Sequence, residues 1–255
     1  MAAVRPYYSA GSMSAAFYDV VTAADARLAG DVEIYAGLAA AGTSVLELGA
    51  GSGRITAALA ERGFAVTGVD LSRAMLVQAE RRRAALAPDA AARISLRLGD
   101  MTALDLKRTF DLVVCPYFTL AHVPAGQAWK NGFRTAARHL ADGGLAAFHL
   151  PRLELMSRAT PPDPDAVVLD EPLSGGGRLR LRVKAREFRP GVGRLEQVIE
   201  YEELDARGAS LRRSAERLAY YMADPIPLAQ SAGLAPDRDP IPLGDVGDIW
   251  VFRRS

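Results

Sequence analysis

The decapeptide VLELGAGSGR, residues 45–54, runs from an apolar segment into three closely spaced glycines. Glycines at such a point allow a tight turn and let a ligand approach the backbone closely. The residues that follow Gly53 have a helical pattern, and the free N–H groups at the start of a helix can face a polar ligand group. We therefore predict a buried strand, a ligand-binding loop and a helix in direct succession.

The spacing of the glycines bears on the ligand. The dinucleotide-binding fingerprint is G-x-G-x-x-G/A, but Arg54 stands where that fingerprint has its last Gly or Ala. Glu47 is a second departure, because a carboxylate inside an apolar strand needs a partner or a ligand. Both departures argue against a nicotinamide dinucleotide.

Apolar runs alternate with helical segments from residue 43 to residue 150. The predicted strands are residues 44–49, 64–69, 94–98, 111–115 and 145–150, and the predicted helices are residues 54–62, 72–86 and 125–140. Strands separated by helices indicate crossover connections and a parallel sheet with helices on both faces. Ser72 is a good N-cap for the second helix, because its hydroxyl accepts from a free backbone N–H.

Acidic and aromatic side chains follow the ends of these predicted strands. Asp70 ends the second strand, Asp100 and Met101 follow the third, and Pro116 and Tyr117 follow the fourth. The carboxyl ends of parallel strands meet at one edge of the sheet, where open α/β sheets bind their ligands. At that edge Asp70 can accept hydrogen bonds from ribose hydroxyls. Asp100 and Met101 suit an adenine amino group and ring.

These motifs, in this order, resemble those of the class I S-adenosylmethionine-dependent methyltransferases. ELGAGSGR matches the glycine loop, VTGVDLS the ribose strand, GDM the adenine turn, and FDLVVCPYFTLAHV and ARHLADGG the fourth strand and the helix-turn before the fifth. The resemblance covers roughly residues 14–150. A looser likeness at Arg217–Tyr221 and Ala232–Leu234 points to bacterial small-molecule methyltransferases, including sugar-amine and glycine-type N-methyltransferases.

The resemblance implies an α/β fold, with a Rossmann-like parallel seven-stranded sheet, helices on both faces and an antiparallel last strand. It also implies S-adenosylmethionine as the cofactor. The methionine end would lie at Glu47, Gly49, Ala50, Gly51 and Gly53, the ribose at Asp70, and the adenine at Leu71, Asp100 and Met101. Met75 and Pro116 complete the implied cofactor set, together with Tyr18, which lies in a segment that resembles the family's lid.

One position departs from the family pattern. Many members of the bacterial group have Asn, within an N-[ST]-L run, just after the fourth strand. This chain has Phe118 there, before Thr119 and Leu120. A polar group that could position the substrate is therefore missing from the sequence at that point, so the resemblance alone does not assign the relatives' amine substrates to this chain.

The composition changes after Pro151. A Pro/Asp-rich stretch at residues 161–165 predicts a loop, and residues 178–188, 194–204 and 210–221 predict antiparallel strands. A short helix at residues 225–232 and strands at residues 236–243 and 248–253 return the chain to its first domain. We predict a cofactor-binding domain of residues 1–150 and 223–255. Residues 151–222 would form an inserted β subdomain that supplies part of the substrate cleft.

The insertion contains a run of alternating basic residues. All of them fall on one face of a strand: Arg178, Arg180, Arg182, Lys184 and Arg186. Aligning apolar residues sets the hairpin register, with the pairs Leu181–Tyr201, Val183–Ile199, Arg186–Glu196, Arg182–Glu200 and Arg180–Glu202. We prefer this neutralised face to the alternative, an anion-binding or nucleic-acid surface.

Methyl transfer places few demands on catalytic side chains. A sulfonium methyl is already activated, so the reaction needs mainly alignment and an unprotonated nucleophile. His149, at the end of the fifth strand, is our first candidate for a general base, and His122 is the second. An imidazole titrates near pH 6.5 and can take a proton at neutral pH. Tyr117 is assigned a shaping role.

The overall composition excludes several classes of protein. Lys and Arg number 31 against 30 Asp and Glu in 255 residues, and this balance disfavours a nucleic-acid partner. Cys115 is the single cysteine, which excludes a Cys-rich zinc site, and we expect no metal. We find no signal-peptide pattern and no apolar run that could span a membrane, and we predict a cytoplasmic monomer or homodimer.

The predicted function is methyl transfer from S-adenosylmethionine to an N or O atom of a small molecule, by in-line displacement. One alternative is a nucleic-acid methyltransferase, which the charge disfavours. An Asn/Asp-Pro-Pro-Tyr/Phe run after the fourth strand would favour it, but the chain has Cys115-Pro116-Tyr117-Phe118 there. The other alternative is a protein that binds S-adenosylmethionine without catalysis.

Overall fold

Strands and helices alternate through much of the chain, and the computed structural model describes residues 4–9, 11–157 and 162–255. The helices are α1 (Met13–Ala16), α2 (Tyr18–Ala24), α3 (Asp31–Ala36), α4 (Arg54–Glu61), α5 (Arg73–Ala84), α6 (Pro88–Ala92), α7 (Gln127–His139), α8 (Leu153–Ser157) and α9 (Pro225–Gln230). The strands are β1 (Arg5–Pro6), β2 (Ser44–Leu48), β3 (Ala65–Asp70), β4 (Ile94–Leu98), β5 (Phe110–Cys115), β6 (Leu140–Pro151), β7 (Val167–Pro172), β8 (Arg178–Arg189), β9 (Arg194–Leu204), β10 (Ser210–Tyr221), β11 (Leu234–Pro236), β12 (Ile241–Leu243) and β13 (Gly247–Arg254).

The larger unit, Arg27–Arg152 with Met222–Ser255, is built on a mostly parallel sheet. The strand order is β11-β13-β6-β5-β2-β3-β4, and β12 also pairs with β13. Strands β2 to β6 are parallel, whereas β13 is antiparallel to β6. Helices α4, α5 and α7 contact this sheet. The predicted fold class is therefore confirmed, including the antiparallel last strand.

The core of this unit combines the apolar faces of strands and helices. Val45 and Val114 from the central strands pack with Ile55 and Leu59 of α4, and Tyr35 of α3 is buried in the same cluster. β2 is buried along nearly its whole length, as expected for a strand covered on both faces. Ser72 caps α5 as predicted, since its side chain accepts from the Met75 N–H.

The end of the chain differs from the prediction in one respect. The predicted strand at residues 236–243 is two strands, because residues 237–240 interrupt it between β11 and β12. Both short strands pair with β13, β12 near its start and β11 near its end. Because both short strands lie along the same edge of β13, the sheet has eight strands where we predicted seven.

The smaller unit comprises Leu153–Tyr221 and the described residues up to Ala26. Its sheet has the order β1-β10-β9-β8-β7, with β1 parallel to β10 and the other neighbours antiparallel. Met13 of α1 packs in the core of this sheet with Leu181 and Tyr201. We predicted that residues 1–26 belong to the cofactor-binding domain, but the contacts of the described residues place them in the smaller unit. A strand of two residues has no periodicity by which the sequence could reveal its partner.

The hairpin register is correct over most of its length. Leu181 faces Tyr201 and Arg182 faces Glu200, and the predicted pairs Val183–Ile199 and Arg180–Glu202 are also confirmed. The predicted pair of Arg186 with Glu196 is wrong. A β-bulge between Val183 and Ala185 shifts the pairing by one residue, and Arg186 lies opposite Gln197.

Acidic partners neutralise much of the basic face, as predicted, but they come from both neighbouring strands. Arg182 forms ion pairs with Glu202 at 2.9 Å and Glu200 at 3.5 Å. Arg178 and Arg180 instead pair with Asp170 of β7, which the sequence analysis missed. In the predicted 161–165 loop, Pro161 lies outside the described residues, and residues 162–166 contain neither helix nor strand.

A buried carboxylate connects β10 to α1. Glu216 is fully buried and accepts hydrogen bonds from the backbone N–H groups of Met13, at 2.6 Å, and Ser14, at 3.1 Å. The Ser214 hydroxyl donates to the same carboxylate at 3.0 Å. These donors compensate the burial of the charge, and they fix the first turn of α1 on the smaller sheet.

Replacing Glu216 tests this connection. Glu216→Ala leaves buried N–H groups without an acceptor, and we expect the free energy of unfolding to fall by about 1–3 kcal/mol. Glu187→Ala is the control, because Glu187 is exposed and its pair with Arg189 is a surface ion pair, worth about 0–1 kcal/mol. Urea unfolding followed by circular dichroism measures both. Equal losses for the two variants would contradict the assignment.

Candidate active site

The glycine loop is held against the end of β3. The N–H groups of Gly49 and Ala50 both donate to the carbonyl of Val69, at 2.8 and 2.9 Å. Gly49 has a φ of 78°, a left-handed conformation that favours glycine. A Cβ atom at this position would lie 2.1 Å from Cγ2 of Thr119, so two independent constraints require glycine here.

Asp70 forms the second contact between the loop and β3. One carboxylate oxygen accepts from the Gly51 N–H at 2.8 Å, and the other accepts from the Ser72 N–H at 2.7 Å. Partial burial raises the pKa of Asp70, while these backbone donors act in the opposite direction. The neighbouring Leu71 side chain is 72% exposed. A carboxylate and an exposed apolar side chain thus stand side by side at the sheet edge.

Glu47 is buried inside β2, with 1% of its surface exposed. The Thr56 hydroxyl, in the first part of α4, donates to its carboxylate. Burial raises the pKa of Glu47 to about 8, against the lowering effects of Thr56 and Arg54, and Asp70 and Asp31 raise it further. Glu47 is therefore largely protonated at neutral pH. A cation placed beside it would favour the ionised form.

Arg54, the first residue of α4, forms an ion pair with Asp31 of α3. Its two terminal nitrogens donate to the two carboxylate oxygens at 3.0 and 2.5 Å. The Asp31 side chain is only 3% exposed. Arg54, which departs from the dinucleotide fingerprint, therefore has a structural partner on another helix.

The predicted adenine residues differ in exposure. Asp100 is exposed, and one of its oxygens accepts from both the N–H and the hydroxyl of Thr102 at 2.8 Å. Met101 is half-buried, whereas Met75 is buried in α5. Asp70 pairs with Leu98 in the sheet, so Asp100 follows directly on the strand beside Asp70.

The backbone after β5 is unusual. Tyr117 and Phe118 both have left-handed φ values, 49° and 57°, which are rare for bulky residues. Asn tolerates this conformation better than Phe does, so Phe118 is an unfavourable residue for this backbone. The Phe118 ring packs on the His149 ring with centroids 4.3 Å apart. A Cβ atom at Gly247 would lie 2.5 Å from both rings, so this contact also depends on a glycine.

The three histidines have different surroundings. His149 lies near the end of β6 in a buried position, with 1% of its surface exposed. His122 is half-buried at the end of a 3₁₀ turn. His139, buried in α7, has a structural role: the Leu106 N–H donates to one ring nitrogen at 2.9 Å, and the other lies 2.7 Å from the Thr135 carbonyl. Burial raises the pKa of the Cys115 thiol to about 12, so the thiol stays protonated and inert.

Part of the chain is similar to known methyltransferases. Residues 45–144 match a family model described as a methyltransferase domain. The dTDP-4-amino-2,3,4,6-tetradeoxy-D-glucose N,N-dimethyltransferase of Saccharopolyspora spinosa is 32% identical over 103 residues. That match covers 40% of this chain and 38% of the relative, so it spans well under half of either protein.

Two solved structures share the fold over nearly the whole chain. The CcbJ methyltransferase from Streptomyces caelestis has a TM-score of 0.71 at 23% identity, covering 91% of this chain and 90% of its own. CalS10, an amino pentose methyltransferase from Micromonospora echinaspora, has a TM-score of 0.71 at 17% identity, covering 98% of this chain and 100% of its own. Residues 45–144 thus match a methyltransferase domain, and the chain has the fold of these solved methyltransferases.

The larger unit brings most of the predicted site residues to one sheet edge. Hydrogen bonds connect the glycine loop to Val69 and Asp70. The predicted residues that follow β4 and β5, and His149 near the end of β6, lie at the same ends of neighbouring parallel strands. Tyr18 is in the smaller unit, on α2, where its ring contacts that of Tyr8 at 5.7 Å. Its role as a lid residue stays a prediction.

Three residues of the larger unit were given no role in the sequence-based prediction. Thr56 contacts Glu47, Thr119 fills the space in front of Gly49, and Asp31 binds Arg54. Thr56 could have been found, because it lies in the first turns of the helix that follows the loop. Asp31 gives no such signal, since its partner is distant along the chain.

Replacing Glu47 by Gln tests its protonation state. The folded-state pKa of about 8 lies above the ordinary 4.5, so the native protein binds an extra proton and loses stability as the pH rises through that interval. Gln resembles the neutral acid and does not titrate. Between about pH 5 and about pH 8, the free energy of unfolding of Glu47→Gln should therefore rise relative to that of wild type. The increase should be at most about 1.4 kcal/mol per pH unit.

Urea unfolding across that pH range measures the difference. Glu61→Gln, at the exposed end of the same helix, is the matched control. A difference between wild type and Glu47→Gln that does not change with pH would show that Glu47 is already ionised in the folded protein.

Proposed function

We propose that this protein transfers a methyl group from S-adenosylmethionine to a nitrogen atom of a small molecule. The observation that carries the proposal is the row of acidic residues at the ends of adjacent parallel strands, beside the glycine loop. Glu47 is on β2, Asp70 ends β3 and Asp100 follows β4. The Saccharopolyspora relative and CalS10, whose names state N,N-dimethylation of an amino sugar and methylation of an amino pentose, favour nitrogen over oxygen.

The chemistry of these donors fits the cofactor. Glu47 is a buried carboxyl group that gains its charge beside a cation, and it suits the ammonium of the methionine part. Asp70, already oriented by two N–H donors, suits the ribose hydroxyls. Leu71 and Met101 offer apolar surface for adenine, with Asp100 for its amino group. When bound, S-adenosylmethionine supplies an activated methyl group on a sulfonium.

The chain's own residues then have to align the acceptor and keep it unprotonated. His149 is the first candidate for a base by its position on β6, but its burial under Phe118 restricts its access to an acceptor. His122 is the second candidate by position and is better exposed. Tyr117, half-buried and stacked on Phe118, is proposed to shape the site. Residues 151–222 as part of the substrate cleft stay a prediction.

The acceptor belongs to the small-molecule amines, and we leave its identity open. Phe118 occupies the position of the relatives' Asn, so an amino sugar is one member of the class and not the assigned substrate. The balanced charge disfavours nucleic acid. No described helix has the length and apolarity needed to cross a membrane. A cytoplasmic location and a monomeric or homodimeric state stay predictions.

Asp70→Ala tests the cofactor site. Losing the charge-assisted bonds to the ribose should weaken S-adenosylmethionine binding by about 1–3 kcal/mol. Isothermal titration calorimetry measures the affinity, and Asp142→Ala, a fully exposed acid paired with Arg254, serves as the control. Unchanged affinity in a folded Asp70→Ala protein would remove Asp70 from the site. Wild-type protein that binds NAD and not S-adenosylmethionine would overturn the proposed function.

The catalytic residues are tested by turnover against pH. With an amine acceptor in hand, replacing the true base by Ala should slow turnover by about 10²–10⁴-fold without changing cofactor affinity. His149→Ala and His122→Ala are compared over about pH 6–9, with His139→Gln as a control for packing. Near-normal rates for both variants at every pH would show that catalysis rests on alignment. Binding of cofactor without turnover of any acceptor would favour the non-catalytic alternative.

A further inference from the structure

The Arg54 guanidinium is close enough to Glu47 to affect its ionisation, yet it contacts a different carboxylate. Arg54 and Thr56 stand in the first turn of α4, and Thr56 reaches the Glu47 carboxylate. Arg54 turns instead toward α3, where both of its terminal nitrogens contact the Asp31 carboxylate. Arg54 therefore acts electrostatically on the Glu47 carboxyl group but forms its hydrogen bonds with Asp31.

The surroundings of Glu47 contain few other charges. Asp31 and Asp70 act on it as anions and Arg54 acts as a cation. Tyr35 and Cys115 also lie near, but burial raises the pKa of both groups, so they are neutral at physiological pH. A guanidinium released from Asp31 would find in Glu47 a buried carboxylate, and such pairs are strong because both partners have lost their water.

An Arg54–Glu47 pair would be harmful to a site that binds a cation. Glu47 would ionise, but its charge would already be neutralised, and an incoming ammonium would have to displace a bound guanidinium. With Arg54 held by Asp31, Glu47 remains a neutral acid that ionises when a ligand cation arrives.

We propose that Asp31 is a positioning residue, which holds the Arg54 guanidinium away from Glu47 and so reserves Glu47 for the ammonium group of the cofactor. The inference rests on the proposed function, because it takes the ammonium of S-adenosylmethionine as the partner of Glu47. Asp31 would then affect the affinity for the cofactor through Arg54, without contacting the cofactor itself.

A rescue experiment separates this role from simple support of the fold. S-adenosylmethionine affinity is measured by calorimetry for wild type, Asp31→Asn and the double variant Asp31→Asn/Arg54→Gln, each checked for folding by circular dichroism. Asp31→Asn should weaken binding by at least about tenfold, because Arg54 then competes for Glu47. The double variant should return to within about threefold of wild type, because the competing cation is gone. A double variant as weak as Asp31→Asn, or weaker, would overturn the proposal.

The number of protons exchanged on binding gives a second readout. At about pH 6.5 the ligand's amino group is already protonated. Wild-type binding should therefore release about one proton as Glu47 ionises, seen as a heat that depends on the ionisation enthalpy of the buffer. Asp31→Asn, with Glu47 already ionised by Arg54, should release close to none.

The wild-type measurement keeps the proposal testable even if Asp31→Asn does not fold. Release of no proton by wild type would mean that Glu47 is ionised before the cofactor arrives, against the proposal. Absence of any S-adenosylmethionine binding by wild type would instead refute the proposed function itself. Normal binding by Asp31→Asn would refute this inference alone.

Discussion

The hydrogen bond from the Gly51 N–H to the Asp70 carboxylate joins the glycine loop to the neighbouring strand. Together with the two N–H donors on the Val69 carbonyl, it fixes the loop on β3 as well as on β2. The start of α4 follows from the path of this loop, and with it the positions of Arg54 and Thr56. Much of the site therefore depends on one contact between the ends of two parallel strands.

The site contains buried carboxyl groups, whose ionised forms are costly in the folded protein. Burial of Glu47 raises its pKa, and its ionised form is disfavoured in the folded protein. Asp31 is also buried, and two hydrogen bonds from Arg54 offset the cost of burying its carboxylate. Buried ion pairs seldom increase stability over an apolar alternative. Their presence beside a ligand loop is understandable if they prepare Glu47 for a cation.

Local patterns in the sequence were sufficient to predict much of the fold. The strands of the parallel sheet and the acids at their ends were predicted because hydrophobic period and strand order determine which edge they share. Most of the β8–β9 register followed from matching apolar and charged pairs. Features that depend on distant partners were missed or wrong: the pairing of β1 with β10, the bulge that separates Arg186 from Glu196, and the Asp31–Arg54 contact.

A crystal structure of the protein with S-adenosylhomocysteine tests the central claim most directly. We predict both ribose hydroxyls within hydrogen-bonding distance of Asp70, the amino group of the ligand at Glu47, and an Arg54–Asp31 pair that persists in the complex. A ligand bound away from the carboxyl ends of β2, β3 and β4, or an Arg54 side chain turned onto Glu47 in the complex, would contradict this prediction.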